Sequence, residues 1–258
     1  MKQLLFLLIL AQISFSGYAQ SGYVRDAMYD KYGRDHEKKG EDWVKNAMSG
    51  KVDPEYKFPL MVKMHNTSYK RGEVRDESDI TYYVNNAANK FGMRAENGSK
   101  KKKEDMLIIY DYIANSMIML NETDMTGMAM NLNAFMSGDA IAHRNQGKAD
   151  KQETNNDCKK TGKTKIILGY NCEQYVCVNK DDNTRSEMWV TTKLIFDMSK
   201  TAGRGAMTGL LGYTRGVGGM MMESEFYKND DLEMKMEVTK VNPNENTVVK
   251  TTDYRFSH

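Results

Sequence analysis

Nowhere does the chain set a nucleophile beside a base, space metal ligands along a helix, or place a phosphate loop between a strand and a helix. No G-x-S-x-G elbow occurs, and the glycines between Lys193 and Gly219 form neither G-x-G-x-x-G nor G-x-x-x-x-G-K-[ST]. The four histidines, His36, His65, His143 and His258, are isolated, and none forms a ligand pair at helical spacing. Hydrolase, redox and nucleotide-dependent readings have little to rest on, so no enzymatic activity and no cofactor are expected. An excess of charge is missing too. With 37 basic side chains against 35 acidic ones, the chain has no electrostatic footprint for nucleic acid. Cysteine is scarce: Cys158, Cys172 and Cys177 leave at least one thiol unpaired.

Long apolar runs are confined to the beginning, MKQLLFLLILAQISFSGYAQS. One lysine, an apolar stretch from Leu4 to Leu10, and small residues at Gly17 and Ala19 have the layout of a secretory signal peptide over residues 1–20. The stretch is well short of the ~20 residues that span hydrocarbon, and no later segment approaches that length. Removal of residues 1–20 takes away only Lys2, leaving 36 − 35 = +1. The remainder suffices for one large β-rich domain. It is expected in the periplasm, the cell envelope or the extracellular space, with no transmembrane segment after signal cleavage.

From Ser21 to Pro54 the apolar residues Val24, Met28 and Tyr32, then Trp43 and Ala47, recur every fourth position. This spacing predicts a helical extension over residues 21–54. Beyond it, residues 55–258 read as one domain. In EYKFPLMVKMH, Tyr56, Phe58, Leu60, Val62 and Met64 fall at every second residue and predict a half-buried strand, with Pro59 marking an edge or a bulge. Ile80, Tyr82 and Val84 repeat the alternation, and Phe91, Met93 and Ala95 predict another short strand. Lys100 to Lys103 reads as a solvated loop. Met106 to Leu120 reads as a hairpin turning at Asn115-Ser116, with Asp111 a lone carboxylate lacking a second acid to work with.

Between Thr123 and Ala142 the period changes: Met125, Met128, Ala129, Leu132 and Met136 recur at threes and fours and predict an amphipathic helix. The polar residues near 144–165 predict a flexible loop. Thr161 to Leu194 then carries the strongest β signal, two long strands joined at Asp181-Asp182-Asn183. Cys172 and Cys177 point to opposite faces of a strand, roughly 16 Å apart at the strand rise, so they should not bond to each other. Cys158 can pair with either. Lys193 to Gly219 reads as a weak helix or covering loop, and alternation at Leu232, Met234, Met236 and Val238 precedes a turn at Asn242-Pro243-Asn244 and a last strand from Thr247 to Phe256. The pattern totals at least eight strands with two or three helical segments, a mainly β, α+β domain.

TGKTKIILGYNCEQYV, a turn, and EMWVT, together with the upstream IIYDYIANSMIML, resemble a family of exported bacterial proteins labelled domain of unknown function 4412. That family is similar to the lipoprotein-carrier superfamily of LolA, LolB and the RseB-type envelope sensors. The resemblance implies a strongly curved antiparallel sheet, an incomplete β-barrel, with helices and loops covering its concave apolar face. It implies no catalytic residue.

Three functional classes follow. The first is an envelope carrier or chaperone that binds a hydrophobic or lipid-like ligand. Its cavity would be lined by Tyr170, Val176, Trp189, Met125, Met128, Leu132, Met136, Met207, Leu210 and Leu211, which plain core packing would also place together. The second is Cu(I) binding by thioethers, since 21 methionines include Met-x-Met and Met-x-x-Met pairs. The third is an interaction or sensor protein docking on an envelope partner. An exposed apolar patch would favour docking, an open apolar interior a ligand binder.

Overall fold

The computed structural model describes residues 46–97, 106–132, 157–180, 183–194 and 219–256 of the 258-residue chain. The expected signal peptide, most of the helical extension, Lys100 to Lys103, and Met136, Met207, Leu210 and Leu211 lie outside these residues.

Two meanders of antiparallel strands make the main sheet. The first runs β2 (Leu60–Lys70), β3 (Glu73–Asn85), β4 (Lys90–Asn97), β5 (Met106–Asp111), β6 (Ser116–Asn121) and β7 (Thr126–Asn131). The second runs β8 (Asp157–Ile167), β9 (Tyr170–Asn179), β10 (Thr184–Thr191), β11 (Met220–Lys228) and β12 (Asp231–Asn242). They join where β12 pairs with β2, and a short parallel strand, β14 (Arg255–Phe256), borders β7. The result is a curved 12-stranded sheet that does not close. Separately, β1 (Glu55–Phe58) pairs with β13 (Thr247–Lys250).

Local chemistry explains the turns. Asn89, Asn115, Asn183 and Asn229 take positive φ of 48°, 55°, 50° and 49°, the conformation that asparagine tolerates better than other side-chain-bearing residues. The turn after β5 is further fastened by Asp111. Its Oδ1 accepts from the backbone N–H groups of Ile113 and Ala114 at 3.1 and 2.9 Å, and its Oδ2 lies 3.2 Å from Lys90 Nζ. The lone carboxylate caps a turn.

Several expectations are corrected. Of the residues expected as a helix over Thr123 to Ala142, Thr126–Asn131 form β7, and those from 133 onward lie outside the described residues. Ala129 packs with Ile118 on one face, while Met128 and Met130 pack with Met117 on the other. A strand buried on both faces carries apolar residues at neighbouring positions, which imitates helical spacing. The loop expected near 144–165 gives way to β8 from Asp157 onward. Pro59 separates two strands of different sheets, so Tyr56 and Phe58 join one apolar cluster while Leu60, Val62 and Met64 join another. The expected pair of long strands over Thr161 to Leu194 is the end of β8 plus β9 and β10, with an additional turn at Leu168-Gly169. The expected last strand is divided between β13 and β14 by a single 3-10 turn at Thr251–Asp253. No helix covers the sheet among the described residues, and none there is long and apolar enough to cross a membrane.

Candidate functional site

Directly opposed residues in an antiparallel ladder share a face, so the registers trace each face across the first meander. Val62, Tyr82, Met93, Ile108, Met119 and Met128 form one unbroken row over six strands. Beside it runs a second, Leu60, Val84, Phe91, Tyr110, Met117 and Met130. Every member is apolar or aromatic. Tyr82 stacks on Phe91 with centroids 5.7 Å apart, Phe91 meets Tyr110 at 6.0 Å, and Tyr110 meets Tyr112 at 6.1 Å. Burial raises the Tyr82 phenol well above its ordinary value and pushes Tyr110 up to about 12, so both stay neutral. Met117, Met128 and Met130 are buried with Leu132, and Met119 packs against them. In the first row Met93, Ile108 and Met119 are only half-buried. Across β12 and β10 the same face continues through Met234, Met236, Val238 and Met188.

The opposite face of the first meander is occupied. Tyr56, Phe58 and Val249 of the two-stranded sheet pack on Tyr83, Leu107, Ile109, Ile118 and Leu120. On the second meander that face sets ion pairs around the buried Cys172 and the half-buried Trp189. Lys165 pairs with Glu223 at 2.7 Å and lies 4.4 Å from the Trp189 ring centroid. Arg185 pairs with Glu187, which also accepts from Gln174 at 3.2 Å. On the first meander, beside the join with β12, His65 Nδ1 of β2 lies 2.8 Å from Asp79 Oδ1 of β3, and Lys63 lies 3.3 Å from the other oxygen. The hydrogen bond to Asp79 chiefly raises the pKa of His65 and lowers that of Asp79. Among the described residues, no three His, Cys, Asp or Glu side chains converge to hold a metal ion.

The lining residues named from sequence are thus divided. Met128 and Leu132 lie together on the methionine face. By register Trp189 and Val176 share the opposite face with Gln174 and Glu187, and Tyr170 has the same parity along β9. Met125 sits in the turn before β7 at φ 52°. What sequence reading missed is the β4–β5 part of the lining, Met93, Ile108 and Tyr110. The alternation marked these residues as strand positions, but only the register places them beside Met119 and Met128.

Cys158 and Cys177 stand directly opposite each other in the β8–β9 ladder and form a disulfide. Cys172 is free and buried, and burial raises its thiol pKa. A buried thiol held neutral is a poor nucleophile.

Among solved structures, the chain is similar to an uncharacterized conserved protein from Thermus thermophilus, at 7% identity and a TM-score of 0.40, covering 85% of this chain and 99% of that one. It is also similar to PNGF-II in the C2 space group, at 12% identity and a TM-score of 0.35, covering 78% of this chain. The chain spans only 31% of PNGF-II. No curated protein matches it. Residues 61–249, from β2 through most of β13, match the model of one protein family, and the chain belongs to that family, Domain of unknown function (DUF4412).

Proposed function

We propose that this chain is an exported, non-catalytic protein whose methionine face takes up a hydrophobic, lipid-like ligand, in the manner of a carrier or chaperone. One observation carries the reading: two unbroken apolar rows cross six strands, and the middle of one row, at Met93, Ile108 and Met119, is only half-buried. Unbranched thioethers repack around irregular acyl chains at low cost, which suits a surface that must accept flexible apolar molecules. The curved, open sheet supports the same reading. The Cys158–Cys177 disulfide supports export, since such bonds persist in oxidising compartments such as the periplasm.

The reading is tested by titrating the protein with N-phenylnaphthylamine, whose fluorescence rises in apolar surroundings. The parent chain is expected to bind it saturably. Ile108→Gln combined with Met119→Gln, which leaves the fully buried residues in place, should weaken binding by about tenfold or more, the equivalent of roughly 1.4 kcal/mol. Unchanged binding by the folded double variant contradicts the proposed site.

A further inference from the structure

The β8–β9 turn breaks two local rules at one residue. Leu168 and Gly169 take φ of 49° and 81°, the pair of positive values that a two-residue hairpin turn requires and that Asn-Gly ordinarily supplies. Leucine there is strained, because its Cβ crowds the backbone. It is also 49% exposed, and Ile166 beside it is 76% exposed. Among the described residues with a side chain at positive φ, Met125 is the other apolar one. Met125 has an internal role, since its carbonyl accepts from the Arg255 backbone N–H at 2.9 Å and so anchors β14. Leu168 contributes neither a preferred turn conformation nor burial. Local rules broken without internal compensation mark positions selected for something outside the fold.

The surroundings narrow what that is. β8 is the last strand of the sheet, so its hairpin tip projects at a corner. Ile113, 71% exposed, lies in the β5–β6 turn, which the alternation of strand directions puts at the same end of the sheet. Between Lys159 and Glu173 four lysines stand against Glu173, and Glu223 pairs with Lys165, which leaves 4 − 2 = +2. Lys163 and Lys193 are exposed, and by strand direction both belong to the half of the molecule that ends in this tip. Apolar residues at a tip with basic residues behind them complement a bilayer surface, with acyl chains below and anionic headgroups above.

We propose that the Ile166–Leu168 tip docks this protein on a bilayer bearing anionic headgroups, with Ile166 and Leu168 entering the headgroup–acyl boundary. This does not depend on a ligand occupying the methionine face. The test is flotation of the full chain with vesicles of phosphatidylcholine containing phosphatidylglycerol, compared with phosphatidylcholine alone. The variant is Leu168→Asn with Ile166→Thr, in which asparagine relieves the backbone strain, so the melting temperature should hold or rise. Binding to the anionic vesicles that weakens at least about tenfold in this variant, and that also falls with Lys163→Glu, supports the proposal. Three results would overturn it: no binding by the parent, equal binding by the tip variant, or a parent dimer in sedimentation that the tip variant dissolves, which would assign the tip to self-association.

Discussion

Asp111 illustrates how a charged residue earns a place inside an apolar sheet. Its side chain is 1% exposed, yet both oxygens are occupied, one by two turn N–H groups and the other by Lys90. Lys90 also pairs with Asp53 and lies 4.5 Å from the Tyr56 ring centroid. Burial works to lower the Lys90 pKa, but the hydrogen bonds to Asp53 and Asp111 outweigh it and raise the value. Asp111→Ala removes the turn cap and half of the lysine's compensation, and should cost about 3 kcal/mol in denaturant unfolding. A loss below about 1 kcal/mol would mean the turn holds without the cap. His65 supplies the pH-dependent counterpart. Its folded pKa is raised above 6.5, so its contribution is complete below that value and disappears as pH rises through the folded pKa. Asp79 is lowered below 3.8, so its contribution is present above that value and disappears as pH falls through the folded pKa. The pair therefore stabilises most between about pH 3.8 and 6.5. His65→Gln should flatten the decline in stability above pH 6.5, by less than about 1 kcal/mol because both groups are partly solvated. An unchanged slope would show that another group governs it.

At the scale of elements, the sequence was most readable where one face of a strand is buried and the other is wet. The alternation at Leu232 to Val238 became β12, and Asn115 turned the β5–β6 hairpin as expected. It was least readable where that asymmetry fails. β7 is covered on both faces, so TGMAMN has no period of two in its apolar residues. β8 begins with Asp157, Cys158 and a run of lysines and threonines, which read as loop because an edge strand needs few apolar residues. For the same reason the partner of Cys158 stayed open until the register put it opposite Cys177. β8 has a single neighbour, so the disulfide should matter most there. Reduction, or Cys158→Ala, is expected to cost about 3 kcal/mol for a bond closing a sequence separation of 19. Hydrogen exchange should accelerate first in residues 157–167. Uniform protection after reduction would mean the edge is held by other contacts.

For the whole molecule, the two meanders meet at β2–β12 and leave β14, beside β7, and β8 at opposite borders of an open, curved sheet. One face of the first meander is sealed by β1 and β13, which place Tyr56 and Phe58 against Ile109 and Leu120. The other is the methionine face. Its existence was legible in the sequence as repeated alternation with sulfur-bearing residues; its composition was not, because membership depends on which strands are neighbours. Residues named together from sequence, Met128 and Trp189 among them, fall on opposite faces, whereas Met93 and Ile108 belong to the row. The central claim, that this face holds an apolar ligand, is tested most directly by native mass spectrometry of the full chain purified without detergent. The account predicts a bound species released by organic solvent and identifiable as lipid, present at about one per chain. Protein of bare chain mass that takes up no added fatty acid or phospholipid would contradict it.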